Sequence, residues 1–297
     1  MSLSEPVRTV TAMTRPNPPP RGLEAGIHRD LEPAASYGAY LALDEILAAQ
    51  RPRSGHHDEL LFIIQHQTAE LWFKLVIHEL QAACRHLLAG DAGPCEKNLA
   101  RVKMVQRQLF EQWGVLETLT PPEYLQFRHV LGQASGFQSR QYRQVEFLLG
   151  NRNPELVAVF GGDDQAQRLL RETLAAPSLY DCTIRFLATR GHPVPGALLD
   201  RDVSQAHEFN AALVDILIAV YRDPERYWTE YALAERLVDV EDSFQLWRFR
   251  HLKTVERIIG HAAGTGGSSG VRFLRQALDY SFFPEIYAVR TEFFRRN

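Results

Sequence analysis

The sequence predicts an all-α protein. Apolar residues recur at three- and four-residue spacings through two long segments, 60–88 and 224–260, and through several shorter ones. The sequence shows no clear pair of strand-like segments and no tandem repeat. Hydrophobic residues make up 45% of the chain and charged residues 23%, which suits a globular protein with a sizeable core. We therefore expect one helical domain, 36–297, built on long core helices.

The first 35 residues form a different kind of segment. Residues 1–33 carry six of the 16 prolines and little periodic apolar content. A segment of this composition cannot bury enough apolar surface to offset the entropy of ordering it. We expect an extended or disordered arm over 1–35.

Charge and cysteine usage narrow the class of protein. The chain has 33 basic and 36 acidic residues, and a net charge of −3 gives no general attraction to nucleic acid or to an anionic membrane. No apolar run is long enough to cross a bilayer, and the N-terminus lacks the apolar core of a signal peptide. The three cysteines form an odd set without CxxC spacing, which indicates a reducing, cytoplasmic location: Cys84, Cys95 and Cys182.

Helix signals begin at Ser36. This residue can cap a short helix over 36–50, whose apolar stripe contains Tyr37, Tyr40, Leu43 and Leu47. A turn at 52–58 follows, and Asp58 is suited to the positive end of the first long helix, which covers 60–88.

More helices are predicted along the rest of the chain. A second long helix, 96–113, is expected to pack on the first through Leu99, Val102, Leu109 and Trp113. Helical patterns continue at 141–149, 165–174, 180–189, 205–221, 224–260 and 271–277, with a loop at 191–196.

A polar cluster at 65–68 interrupts the apolar pattern of the first long helix. His66 lies on a face with Ile63, Ala69, Phe73 and Leu80, so its imidazole should point into apolar surroundings and needs a partner there. The ordinary interpretation is a core histidine bonded to a neighbouring carbonyl or in contact with Glu70. The sequence HQTAE lacks the HExxH ligand pair, which excludes a zincin site here.

Another helix is predicted to start at 120–123, where Thr, Pro, Pro and Glu form a capping sequence. If that helix continues through Gly132, one stripe contains Tyr124, Arg128, Leu131 and Ser135. Arg128 could extend to water from the edge of this face. Alternatively, its guanidinium is held ready for a carboxylate or phosphate, which it can bind with two hydrogen bonds.

A second inward histidine and a glycine-rich loop stand near the C-terminus. His251 shares a face with Phe244, Trp247, Val255 and Ile258. The loop 263–270 has no lysine after its glycines, misses the third glycine of GxGxxG and follows a helix, so it fits neither the Walker A loop nor the dinucleotide fingerprint. It is either a plain connector or a mobile loop whose Thr265 hydroxyl and exposed amides order over a small polar ligand.

The residues alone leave three classes of function open. Two histidines are too few for a closed zinc site, but one imidazole can hold a haem iron while the other lines the opposite face. The second class is a helical interaction module without a cofactor, whose histidines belong to the core. The third is a non-haem metal hydrolase, although no cluster of acidic residues falls at ligand spacing near either histidine.

Several segments resemble those of the tryptophan 2,3-dioxygenase family, in order and at the same spacings. They are YGAYL at 37–41, FIIQHQTAELWFK at 62–74, FR at 127–128 with SGFQS at 135–139, WRFRH at 247–251 and AGTGGSSG at 263–270. The resemblance implies an all-helical homotetramer with one haem b, iron protoporphyrin IX, per subunit. It also implies a reaction that inserts both atoms of O2 across the indole C2–C3 bond of L-tryptophan, giving N-formyl-L-kynurenine in the first step of the kynurenine pathway.

The resemblance also implies roles for residues around the haem. His251 would be the axial ligand of the iron, and Ser135 would lie near the haem edge. His66 would be the distal catalytic residue, close to the indole N–H. The substrate supplies the electrons, so we expect His66 to orient it and not to act as an obligatory base.

Other residues would hold the amino acid itself. By the same resemblance, Arg128 would bind the substrate carboxylate, and Thr265 would contact the carboxylate and ammonium groups. The indole pocket would be shaped by Phe62, Tyr124 and Leu131. Tyr37 and Tyr40 are expected to cover the pocket of the neighbouring subunit.

Overall fold

The structure confirms the all-α prediction. This computed structural model describes residues 22–28 and 36–295, and within these ranges no strand forms. The helices are α1 Tyr37–Tyr40, α2 Leu43–Leu47, α3 His57–Leu88, α4 Ala92–Glu111, α5 Trp113–Leu116, α6 Pro121–Arg128, α7 Arg140–Leu149, α8 Asp164–Ala175, α9 Leu179–Thr189, α10 Gly196–Leu199, α11 Ala211–Arg222, α12 Trp228–Ile259, α13 Val271–Gln276 and α14 Pro284–Arg295. In the described ranges, no helix has both the length and the apolarity of a membrane span.

The chain divides into two compact units after Ala49. In the first unit Ser36 caps α1 as predicted, because its Oγ accepts a hydrogen bond of 3.2 Å from the amide of Ala39. The continuous helix expected over 36–50 is wrong: Ala42 adopts a left-handed conformation, φ 50°, and separates α1 from α2. Most of the arm predicted over 1–35 lies outside the described residues.

The second unit is organised around α3, α4 and α12. Helix α3 begins where the predicted turn ends: His56 directly precedes it, and Asp58 lies in its first turn. Helix α4 packs against both α3 and α12. The four residues predicted to face inward from the second long helix are all buried in one core cluster, although the last of them opens α5: Leu99, Val102, Leu109 and Trp113. The predicted pairing of the first two long helices is therefore confirmed.

The capping sequence at the start of α6 is also confirmed. The carboxylate of Glu123 accepts hydrogen bonds from the amide and the hydroxyl of Thr120, each 2.7 Å long. The helix does not continue through Gly132, because a 3-10 turn over His129–Leu131 ends there with φ 57° at the glycine. Ser135 therefore leaves the predicted stripe and caps the next 3-10 turn, Gly136–Gln138.

Two later predictions need correction. The helix expected from residue 205 starts at Ala211, because the side chain of Asn210 accepts a hydrogen bond of 3.0 Å from the amide of Ala212 and caps the helix there. The helix expected to be the last, 271–277, is followed by α14. That helix begins at Pro284 and packs against α11, so a proline start signal was missed.

A buried carboxylate ties α14 to the rest of the second unit. Glu285 is fully buried and accepts hydrogen bonds from Tyr180 Oη at 2.7 Å and from the amide of Asn210 at 2.7 Å. His207 Nε2 lies 2.6 Å from Oε1, the carboxylate oxygen that also accepts the hydrogen bond from Asn210. Burial alone would raise the pKa of Glu285, but the hydrogen bonds and the charge of His207 outweigh it and hold the pKa below its ordinary value.

We expect Glu285→Gln to lower the free energy of unfolding by about 3 kcal/mol at neutral pH, because it leaves buried partners without their carboxylate. The contribution of Glu285 is present above the unfolded pKa of a glutamate, about 4.3, and is lost as the pH falls through the lower folded value. Urea unfolding below about pH 5 should therefore show a steeper loss for the wild type than for the variant. The exposed neighbour Glu208 provides the control, Glu208→Gln. Parallel pH profiles for wild type and Glu285→Gln would contradict this assignment.

Candidate active site

His66 lies on α3 with one ring nitrogen fixed. Its Nδ1 is 2.7 Å from the carbonyl oxygen of Phe62, one turn earlier, and its ring lies 4.2 Å from the Phe62 ring, centroid to centroid. A carbonyl can only accept, so Nδ1 carries the hydrogen and Nε2 is left as an acceptor. Burial lowers the pKa of His66, although the Phe62 carbonyl and Glu70 oppose this effect, and the ring is uncharged at neutral pH.

His251 lies on α12 and is held by ring contacts. The indole of Trp113 stacks on it with 4.7 Å between centroids and 9° between planes, and Trp247 is 5.6 Å away. No residue within 22–28 or 36–295 forms a hydrogen bond with its ring. Burial lowers its pKa to about 4, with a further contribution from His66. His251 is therefore a neutral imidazole with a free lone pair at neutral pH.

The two histidine rings influence each other electrostatically. A positive charge on His66 disfavours a charge on His251, so the two rings lie within electrostatic reach of each other although they are 185 positions apart in the sequence. This juxtaposition depends on α4, which packs against both α3 and α12.

Aromatic side chains line the His66 side of the site. Phe62 lies 6.0 Å from Tyr124 and 5.7 Å from Phe127, and the last two rings meet edge to face at 5.5 Å. Burial raises the pKa of Tyr124, although Arg128 opposes this shift, so its hydroxyl keeps its proton. Leu131 packs against the same core. The structure thus brings Phe62, His66 and Tyr124 together.

Arg128 and the glycine-rich loop meet at a cleft of about 430 Å³ lined by Leu125, Arg128, His129, Gly132, Gly264 and Thr265. Arg128 Nη2 donates a hydrogen bond of 2.6 Å to the carbonyl of Ala263. Thr265 Oγ1 donates one of 2.5 Å to the carbonyl of Ala134. The loop therefore docks on the segment that follows α6, and two predicted substrate contacts, Arg128 and Thr265, lie side by side.

Ser135 lies against residue 266 of this loop. A Cβ atom added to Gly266 would lie 2.6 Å from the Cβ of Ser135, closer than real Cβ contacts allow. The glycine is therefore required for space and not for its backbone angle. Tyr37 and Tyr40 belong to the first unit, where they are 75% and 85% exposed.

Sequence reasoning missed several residues of the site. Trp113 was predicted to face inward, but nothing in its spacing indicated that it stacks on His251. Phe127 is fully buried beside Phe62, and its position next to Arg128 within the FR segment is the one signal that could have found it. The contact of Arg128 with the Ala263 carbonyl could not be predicted, because a backbone group is not marked by any residue type.

These observations define the class of protein: a helical enzyme whose site combines two uncharged imidazoles, an aromatic wall and an arginine beside a glycine-rich loop. The family model described as Tryptophan 2,3-dioxygenase matches residues 22–183 and 197–293. The tryptophan 2,3-dioxygenase of Kineococcus radiotolerans is 60% identical over 274 residues, which cover 92% of this chain and 96% of the relative. That of Xanthomonas euvesicatoria pv. vesicatoria is 58% identical over 273 residues, covering 91% and 92%. The chain belongs to the tryptophan 2,3-dioxygenase family of oxidoreductases.

The close contact between Gly266 and Ser135 can be tested by substitution. Gly266→Ala should displace the loop, because the added methyl group overlaps the Ser135 side chain. We expect amide hydrogen exchange over 263–268 to become at least about tenfold faster, a change that mass spectrometry can measure. Ser269→Ala, at an exposed position of the same loop, should leave the exchange unchanged. Equal exchange in Gly266→Ala and the wild type would refute the docked arrangement.

Proposed function

We propose that this chain is a haem-dependent tryptophan 2,3-dioxygenase. It would insert both atoms of O2 across the indole C2–C3 bond of L-tryptophan and yield N-formyl-L-kynurenine, the first step of the kynurenine pathway. Membership of the family and the names of the relatives support this substrate and this reaction. The observation that carries the proposal is the neutral, unbonded imidazole of His251 facing a site whose other imidazole, His66, presents an acceptor nitrogen.

His251 fits the requirements of a haem ligand. A metal-binding imidazole must be neutral, and the low pKa of His251 keeps it so across the physiological range. The ring has no hydrogen-bond partner among the described residues, so its lone pair is available to an iron. Haem b, one per subunit, supplies the iron that activates O2 when it is bound. Ser135 would lie near its edge.

The other residues would bind and orient the substrate. The Nε2 atom of His66 is the acceptor that an indole N–H requires, so His66 would fix the ring without having to remove the proton. Phe62, Tyr124 and Leu131 would pack around the indole and exclude water. Arg128 would bind the carboxylate, and Thr265 would contact the carboxylate and ammonium groups.

The non-haem hydrolase gains no support from the structure. Within 22–28 and 36–295, no group of three or more His, Cys, Asp or Glu side chains is arranged to hold a metal ion. A haem iron needs only one protein ligand, so this arrangement suits the haem proposal. The three cysteines are buried free thiols, which supports a cytoplasmic location: Cys84, Cys95 and Cys182.

The assignment of the iron ligand is tested with two histidine variants. His251→Ala should be purified without the haem Soret band, or with a much weaker one, because the iron loses its protein ligand. His66→Ala is the matched control, since it removes an imidazole from the same site but should keep haem and a reduced turnover. Full haem content and unchanged ligand spectra in His251→Ala would defeat the assignment.

Arg128 gives a separate prediction about specificity. Arg128→Lys keeps the charge but loses the planar fork, so L-tryptophan should bind about ten- to a hundredfold more weakly. Tryptamine lacks the carboxylate and should bind wild type and variant equally well. Equilibrium titrations of the two compounds provide the comparison. If both are weakened to the same extent, Arg128 has a structural role instead.

We further propose a homotetramer in which Tyr37 and Tyr40 cover the pocket of a neighbouring subunit. Their exposure in the single chain supports a role at a contact between chains. Two inactive variants, Tyr37→Ala/Tyr40→Ala and Arg128→Ala, are mixed after dissociation and reassembled. We expect activity to return, because some mixed oligomers regain a complete site. Mixtures that stay inactive, while reassembled wild type recovers, would show that both sets act within one chain.

A further inference from the structure

A metal-binding histidine ordinarily donates its second ring N–H to a carboxylate, a backbone carbonyl or a water, which fixes the rotation of the ring. Among residues 22–28 and 36–295, none hydrogen-bonds to the ring of His251. The protein's own restraint on its orientation is therefore packing, and the stacked contact is the indole of Trp113, 9° from coplanar.

The backbone of Trp113 is set by α5, which continues from α4 after the single helical residue Gln112. Its indole Nε1 is buried without a hydrogen-bond partner in the described part of the chain, so no polar contact fixes the ring. The indole packs in the core cluster, and its contact with His251 needs a restraint that holds α5 against α12.

An ion pair provides that restraint. Arg250 Nε and Nη2 donate to Glu117 Oε1 and Oε2, and both hydrogen bonds are 2.9 Å long. Thr254 Oγ1 lies 3.1 Å from Glu117 Oε1. The hydrogen bonds from Arg250 are the main cause of the lowered pKa of Glu117. We call the paired side chains of Glu117 and Arg250 the clamp.

The clamp connects the backbone segments that carry Trp113 and His251. Glu117 caps α5, and its amide donates a hydrogen bond of 2.9 Å to the carbonyl of Trp113. Arg250 directly precedes His251 on α12, and its guanidinium lies 4.9 Å from the centre of the Phe110 ring at the end of α4. The clamp thus fixes α5, and with it the indole, to the turn of α12 that carries His251.

We propose that Glu117 and Arg250 are positioning residues, which set the rotation of the His251 imidazole by holding Trp113 against it. This inference rests on the proposed function, in which His251 binds a haem iron. Neither Glu117 nor Arg250 lines the cleft that contains Arg128 and Thr265, so their effect passes through Trp113.

The test measures haem loss to excess apomyoglobin from haem-loaded full-length protein. Arg250→Lys, which keeps the charge, and Glu117→Gln, which keeps the shape, should lose haem roughly three- to tenfold faster than the wild type. The ferrous iron–imidazole stretching band in resonance Raman spectra should shift in both variants. Glu256→Gln is the matched control, because it breaks the more exposed Lys253–Glu256 pair on the same helix, and it should change neither quantity.

A double-mutant cycle separates positioning from general stabilisation. In a Trp113→Leu background, Arg250→Lys and Glu117→Gln should accelerate haem loss no further, whereas their effect on the thermal unfolding temperature should persist. Equal acceleration in both backgrounds, or wild-type haem loss in the single variants, would overturn the inference. If one clamp variant does not fold, the cycle with the other decides. A wild-type protein that takes up no haem would instead refute the proposed function.

Discussion

The site depends on keeping two imidazoles uncharged inside an apolar helical core. Burial favours the neutral form of both His66 and His251, and each would disfavour a charge on the other. The carbonyl of Phe62 gives His66 a defined tautomer, whereas His251 is in contact with the rings of Trp113 and Trp247. One ring can thus accept a hydrogen bond, and the other keeps the free lone pair that the proposed haem ligand requires. Neither arrangement would survive in water, where the rings would rotate freely and titrate near neutral pH.

Helix α12 is anchored by ionic contacts before and beside His251. Arg248 Nη2 donates 2.8 Å to Glu146 Oε1 on α7, and both side chains are buried. The neighbouring Tyr142 has its pKa raised to about 12 by burial, so it remains a neutral partner in this group. Losing Glu146 would leave two buried arginines, Arg143 and Arg248, without their shared carboxylate, which is strongly destabilising. This network and the clamp attach α12 to α7 and to the end of α5 within the turn that precedes His251.

The arginine at the cleft is already engaged by the protein. Arg128 donates to a neutral backbone carbonyl of the loop, and a carboxylate could take over that donor with a stronger, charge-assisted bond. An anionic ligand would therefore compete directly with the contact that docks residue 263 of the loop. Thr265 and Gly266 hold the loop at two further points, Ala134 and Ser135. A ligand that took this donor would therefore release the loop at residue 263 but not at these two points.

The sequence by itself determined the helical class, the long helices and the inward direction of His66 and His251, because apolar spacing and capping residues act over a few positions. The motifs also indicated the family. Only the tertiary structure decided that Trp113 stacks on His251, that Ser135 leaves the Arg128 stripe and that Glu117 pairs with Arg250. The first and third contacts join residues more than a hundred positions apart, and local periodicity carries no information about them. Ser135 was misplaced because one glycine with φ 57° ended the helix, a backbone choice that side-chain spacing does not reveal.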